Sequence, residues 1–173
     1  SVPLHIMGGG AEVSLLKIDE RLIFLSAEFE NAEEAIKMMA SEMRSGGYVR
    51  DSYCDAVLER EKKFPTGVPE EGLGSAVPHA TSEHVIKPSM AIAVLKRPVR
   101  FNLMGSPDES ADVDLIFMLA AGTPRDHMVA LGKVISILMS SEKTDRIRNL
   151  ADPAEAADFL ETEINDKKVE NCI

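Results

Sequence analysis

Two histidines and an arginine are the residues of this chain whose types and placing could do chemistry without a metal. His79 closes the segment Ala76-Val77-Pro78-His79, which follows Pro65-Thr66-Gly67 and a glycine- and acid-rich loop. Proline fixes its own φ and drives Val77 toward extended geometry, so the backbone entering His79 is stiff, while Gly67, Gly72 and Gly74 let the loop before it turn. His127 lies four residues after Thr123, in the first turn of an expected helix that follows a long apolar run. Arg60, on the helix just before the loop, is the best guanidinium candidate, and Arg125, close to His127, is second. Neutral imidazole is a good nucleophile toward phosphorus near physiological pH, and the phosphoramidate it forms is labile enough to pass the group onward. Helix N-terminal amides, a guanidinium and a second imidazole can neutralise and position such a group without a bound metal. Taken alone, these residues leave rival readings open. A Pro-His dipeptide also fits a surface or core histidine, and His127 also fits a cap-region histidine satisfied by local backbone. Either arginine also fits an exposed helix charge paired with Glu59, Glu61 or Asp126, a contact worth little.

Other candidate chemistries have less support. His79 and His84 are five residues apart, which does not give the i, i+4 face of a zinc helix, and no cysteine lies close in sequence, so no metal site is expected. The chain has neither a GxxxxGK[ST] loop nor a GxGxxG fingerprint, so nucleotide binding has no basis and no cofactor is expected. Cys54, among Tyr53, Val57 and Leu58, reads as a reduced, half-buried structural thiol, and Cys172 has no arguable role. Thr66 and Ser75 could donate to a phosphoryl oxygen, but loop hydroxyls serve turns just as often. Glu70, Glu71, Asp108, Glu109, Asp112 and Asp114 read as solvated rims or turn residues, and the nine methionines as core filler.

The elements that must position the histidines follow from periodicity and punctuation. Residues 22–25 read as a first strand. Asn31, with Glu34 three residues on, caps a helix that carries Ala35, Met39 and Met43 and ends at Gly46-Gly47. A second helix is expected over 51–63, then a loop to residue 75 and a short strand ending at Pro78. Residues 90–95 form another strand, with Arg97-Pro98 as a turn into Val99-Arg100-Phe101. The run 113–121 is almost wholly apolar, the pattern of a strand buried on both faces. Thr123 caps the next helix, whose stripe is Met128, Leu131, Val134, Ile135 and Leu138. Further helices are expected over 144–150 and over 153–164, the last with an Asp152 cap and Glu155 completing a capping box. Strands alternate with helices, so the expected class is α/β, a mixed, largely parallel β-sheet flanked by helices on both faces. In such sheets reactive groups collect beyond the carboxyl ends of the strands, which is where His79 and His127 fall.

The 173 residues, 45% of them hydrophobic, suit one well-packed domain, expected over 11–166, with residues 1–10 read as a tag or flexible leader and 167–173 as a C-terminal tail. A net charge of −10 opposes nucleic acid or an anionic membrane as the main partner, because phosphates must be met by clustered Lys and Arg. A basic protein surface is the expected partner. The apolar runs are far shorter than the ~18 residues of a membrane helix, and two cysteines imply no disulfide framework, so a reducing cytoplasm fits best.

In their order along the chain, Leu58-Glu59-Arg60-Glu61, Pro65-Thr66-Gly67, Ala76-Val77-Pro78-His79, Ala91-Ile92-Ala93-Val94, Pro98-Val99-Arg100-Phe101, the 113–119 strand and Asp126-His127 resemble a known family. It is the EIIA domains of the fructose/mannitol type of the bacterial phosphoenolpyruvate-dependent sugar phosphotransferase system. The resemblance covers about residues 22–164, and the segment 90–119, with Arg100-Phe101-Asn102-Leu103-Met104-Gly105, looks galactitol-like. It implies a mannitol-type EIIA fold and a phosphoryl relay. HPr gives its phosphoryl group to His79, at Nε2, with His127 and Arg60 stabilising the phosphate, and His79 passes it to a cysteine of an EIIB for sugar uptake by EIIC. The acidic surface would then meet an electropositive HPr face, and two such transfers call for a shallow, exposed site. Another implied role is regulatory, with phosphorylation of His79 controlling a partner instead of transport; a third possibility is a ligand-binding or scaffold domain in which His79 is structural. The acid-rich 68–74 loop and the extra His84 depart from the family's pattern.

Overall fold

The computed structural model describes residues 15–166; the expected leader over 1–10, the tail over 167–173 and Cys172 lie outside the described residues. The elements are β1 (Ile23–Ala27), α1 (Ala32–Ser45), α2 (Tyr53–Lys63), β2 (Gly67–Val68), β3 (Gly74–Ala76), β4 (Ser89–Leu103), β5 (Ser106–Ala120), α3 (Pro124–Leu138), α4 (Ser141–Asn149) and α5 (Pro153–Asn165). Short 3-10 turns occupy Glu20–Leu22 and Ser82–His84. Helix starts follow the capping residues. The Asn31 side chain accepts from the Glu34 amide at 2.9 Å, Thr123 from Asp126 at 3.1 Å and Ser140 from Lys143 at 3.3 Å. Asp152 accepts from Ala154 at 3.0 Å, one residue short of the Glu155 amide that the expected capping box would use.

The strands form one sheet in the order β1-β4-β2-β3-β5, with β4 also paired to β5. β1–β4, β2–β4 and β3–β5 run parallel; β2–β3 and β4–β5 run antiparallel. The mixed, mostly parallel sheet agrees with expectation, but the alternation of strands and helices breaks at β4–β5. There the expected turn at Arg97-Pro98 lies inside one strand, as an irregularity of register between Val94 and Val99, a place where proline's missing N–H costs little. The turn comes later, at Met104-Gly105, where Gly105 takes φ +78° and Leu103 faces Ser106. Residues 106–112 are polar and exposed or half-buried, so apolar content did not mark them as the first half of β5.

Period-two alternation divides the core into two layers. From β4 and β5, Ala91, Ala93, Ile116, Met118 and Ala120 face Ile36, Met39 and Met43 of α1 and Tyr53 and Val57 of α2. Their neighbours Met90, Ile92, Leu115, Phe117 and Leu119 face Ala130, Val134 and Leu138 of α3, Ile147 of α4, and Leu160 and Ile164 of α5. Helices therefore cover both faces, and the C-terminal half of β5 is buried throughout, as its unbroken apolar run predicts.

Two of the acids expected at solvated rims are not solvated. Asp114 is 7% exposed and accepts from Arg148 Nε at 3.0 Å. Arg148 also donates to the Leu73 carbonyl at 3.0 Å and lies 3.5 Å from Glu70, whose other oxygen accepts from Ser75 at 3.1 Å. One guanidinium on α4 thus clasps the 68–74 loop to β5, a use of charge that no local pattern announces. Asp112, by contrast, makes an exposed pair with Arg100, as surface acids do.

Gly67 is needed for close approach. A Cβ there would lie 2.5 Å from the Asn102 carbonyl oxygen, where β2 meets the end of β4. Gly67→Ala is expected to cost about 1–3 kcal/mol, the range for overpacking against rigid backbone, seen as a lower urea midpoint at unchanged slope.

Candidate functional site

The backbone leaving β3 continues beside β5. The Leu119 amide donates to the Pro78 carbonyl at 3.1 Å, and His79 forms a parallel bridge with Leu119. His79 therefore stands at the carboxyl end of the sheet. After β5 the chain turns through Gly122 and enters α3, whose first turn carries His127; its amide donates to the Thr123 carbonyl at 2.9 Å. Arg60 reaches the same place from the last turn of α2. Together with Ala80, Thr81, Ser82, Pro124 and Met128 these three residues line an open cleft of about 210 Å³.

The two imidazole rings lie 4.7 Å apart, centroid to centroid, inclined at 50°. His79 Nδ1 is 2.7 Å from the Val77 carbonyl oxygen. A carbonyl only accepts, so Nδ1 carries the proton and Nε2 keeps the lone pair. His79 is 6% exposed, more enclosed than the shallow site expected of a relay. That enclosure has an electrostatic effect. Burial first, then the nearby His127 and Arg60, push the His79 pKa down from 6.5 to about 4, against the Val77 contact that raises it. Burial and Arg60 also lower the pKa of His127. Both rings are thus held neutral beside a permanent cation. His127 Nδ1 and Arg60 Nε are buried and without a hydrogen-bond partner among the described residues, and the guanidinium lies over the Phe64 ring at 5.5 Å. The cleft can offer one nucleophilic nitrogen and a set of donors for an anion.

Other candidates fall elsewhere. Arg125 is exposed and does not line the cleft. His84 is tied by Nδ1 to the Ser52 hydroxyl at 2.8 Å, at the start of α2, and faces an adjoining pocket with Lys63 and Phe64. Thr66 and Ser75 spend their hydroxyls on Glu61 and Glu70 rather than on the cleft. Glu61, thought of only as a possible arginine partner, instead holds Thr66 through both carboxylate oxygens. Cys54 is half-buried and burial raises its thiol pKa, as fits a structural thiol. Among the described residues no group of three or more His, Cys, Asp or Glu is placed to hold a metal, and no helix is long and apolar enough to cross a membrane.

A family model described as "Phosphoenolpyruvate-dependent sugar phosphotransferase system, EIIA 2" matches residues 17–163. The chain belongs to this family. Among EIIA-containing relatives, the fructose-specific EIIABC component of Bacillus subtilis (strain 168) is 33% identical over 159 residues, covering 87% of this chain and 23% of that protein. The chain thus spans about a quarter of the length of that curated relative. The crystal structure of IIA mannitol from Escherichia coli superposes with a TM-score of 0.66 at 26% identity, over 82% of this chain and 99% of that one. A complex of Escherichia coli enzyme IIAMtl with phosphorylated enzyme IIBMtl matches with a TM-score of 0.66 at 25% identity, over the same shares of the two chains. These likenesses agree with the fructose/mannitol type and with the α/β fold expected of this EIIA chain.

The depressed histidines give a signed pH dependence. Because the folded His79 binds its proton less readily than the unfolded chain does, stability falls as pH drops through about 6.5 and levels off below about 4. For a buried group this amounts to ~3 kcal/mol, with His127 acting in the same direction. In urea unfolding compared at neutral pH and at about pH 4, His79→Gln is expected to lose less stability between the two than wild type does, by up to ~3 kcal/mol. An equal loss in wild type and His79→Gln would show that burial does not hold His79 neutral.

Proposed function

We propose that this EIIA chain is a phosphoryl carrier of a sugar phosphotransferase system, accepting phosphate from phospho-HPr on His79 and passing it to a cysteine of an EIIB partner for sugar uptake through EIIC. The observation that carries the reading is a neutral, tautomer-locked His79 sharing one cleft with His127 and Arg60, whose Nδ1 and Nε have no hydrogen-bond partner among the described residues. In the first transfer the lone pair of His79 Nε2 forms a bond to phosphorus as the donor's N–P bond breaks, and that bond's electrons return to the donor imidazole. In the second, a thiolate of the partner attacks phosphorus and the electrons of the Nε2–P bond return to His79. His79 keeps its Nδ1 proton through both steps.

Arg60 and His127 meet the charge on the transferring group. A phosphoryl dianion beside His127 reverses the local electrostatics and draws a proton onto that ring, so His127 serves as a charged donor once His79 is loaded. Met128, 71% exposed, lines the cleft, and Phe64, 64% exposed, flanks Arg60, which gives a protein partner apolar surface beside the reacting nitrogen. The phosphorylated partner in the mannitol complex is an EIIB, which supports the same class of partner here. The reading places the chain in the cytoplasm.

Intact-protein mass spectrometry after incubation with phosphoenolpyruvate, enzyme I and HPr tests this. Wild type is expected to gain one acid-labile phosphate, and His79→Ala none. His127→Ala is expected to accept phosphate but to pass it on roughly 10- to 100-fold more slowly. Phosphate retained on His79→Ala would refute the assignment of the carrier residue, and wild-type relay by His127→Ala would refute the role given to His127.

A further inference from the structure

Glu61 follows Arg60 on α2, and the helical rotation between neighbours turns the two side chains to different tasks. Arg60 enters the cleft; Glu61 reaches the base of the histidine loop. One Glu61 oxygen accepts from the Thr66 amide at 2.9 Å and the other from the Thr66 hydroxyl at 2.8 Å. Thr66 is 2% exposed, and its hydroxyl oxygen accepts from the Val77 amide at 3.2 Å. Val77, fully buried, then presents the carbonyl that takes the His79 Nδ1 proton at 2.7 Å. Among the described ion pairs Glu61 has no lysine or arginine partner, and burial raises its pKa. A largely buried carboxylate without a cation is an expensive way to fill space.

We propose that Glu61 and Thr66 are positioning residues for His79, fixing through Val77 which ring nitrogen carries the proton. The direction of the chain of bonds is what requires a carboxylate. Both oxygens of Glu61 only accept, so the Thr66 hydroxyl must spend its proton on Glu61 and keep its lone pairs for the Val77 amide. A glutamine turning its NH2 toward Thr66 would make the hydroxyl an acceptor there and set it in competition with Val77. With the Val77 amide fixed, and Pro78 locked on its far side by the Leu119 amide, the Val77 carbonyl cannot swing away from Nδ1. Supporting contacts of this kind orient a reactive histidine and select its tautomer. The same helix turn therefore supplies the cleft's cation and holds its nucleophile in register.

The test is ¹⁵N NMR of the histidine ring nitrogens in unphosphorylated protein, together with the rate of phosphoryl transfer from phospho-HPr, on wild type, Thr66→Val, Thr66→Ser and Glu61→Gln. In wild type His79 is expected to be the Nδ1–H tautomer. In Thr66→Val the Nε2–H tautomer that free imidazole side chains favour should become populated and transfer should slow about 10-fold; Thr66→Ser should restore both values, and Glu61→Gln should move with Thr66→Val. Wild-type tautomer and wild-type rate in Thr66→Val overturn the inference. If that variant does not fold, the same two readings on Glu61→Gln decide it in the same way. The rate arm rests on His79 being the phosphoryl acceptor, whereas the tautomer arm needs no phosphate. A chain that takes up no phosphate therefore overturns the proposed function while the NMR result still decides the role of Glu61 and Thr66.

Discussion

The backbone of Leu119 is the point on which the cleft depends. Its amide donates to Pro78, fixing the histidine segment against β5, and its carbonyl accepts from the Tyr53 hydroxyl at 2.7 Å, fixing the start of α2 against the same strand. Tyr53 is fully buried, so neither partner has water to fall back on. Each bond is worth only about 1 kcal/mol net, but leaving a buried group unpaired costs about 1–3 kcal/mol, and that asymmetry penalises any slip in register. From this one residue the three side chains of the site are reached by short, stiff paths. His79 follows Pro78 directly, Arg60 lies two helical turns along α2 from Tyr53, and His127 follows β5 across a short capped turn.

Electrostatics in the cleft run against the charge of the chain as a whole. The chain carries −10, yet the cleft is lined by Arg60, His79 and His127 with no carboxylate among its lining residues. Burial penalises protonating either imidazole, and a second positive charge near Arg60 adds to that penalty. The cleft's own groups therefore favour neutral rings, and an anion within it would favour a charged His127. The same burial thus lets one cleft hold two neutral rings and still respond to an incoming negative charge, without any change of fold. Net charge informs encounter with a partner; it says little about a site shielded by its own walls.

Much of this was legible in the sequence, for identifiable reasons. The capping residues Asn31, Thr123 and Asp152 and the apolar 113–121 run announce helices and a doubly covered strand, because caps and periodicity are local. His79, Arg60 and His127 could be named as a set because each sits at the end of a readable element. Three features were not legible. The β4–β5 ribbon is polar and exposed at its tip, so its pairing rests on cross-strand partners that one strand's composition does not reveal. Arg148 meets Asp114, Glu70 and Leu73 only after α4 packs beside β5, across separations of 34 to 78 residues. Glu61 reads locally as a partner for a neighbouring cation and acquires its role from Thr66, five residues on, once the chain bends at Pro65.

The acid-rich 68–74 loop is anchored so that its charge leaves the cleft intact. The loop is pinned at its first end by Glu61 on Thr66 and by the Gly67 contact with β4, and at its last by Gly74 and Ser75 pairing with β5. Between those points Glu70 is held away from the histidines. Glu70 turns to Arg148 and Ser75, and the Leu73 carbonyl to Arg148. A guanidinium on α4, on the opposite side of the sheet from α1 and α2, therefore meets the charge of Glu70. Added acids that reached the cleft would stabilise a protonated His79 and oppose the approach of a phosphoryl group; acids clasped by Arg148 do neither. The spacing of His79, His127 and Arg60 is set by Leu119 and α2, apart from the loop's own anchors.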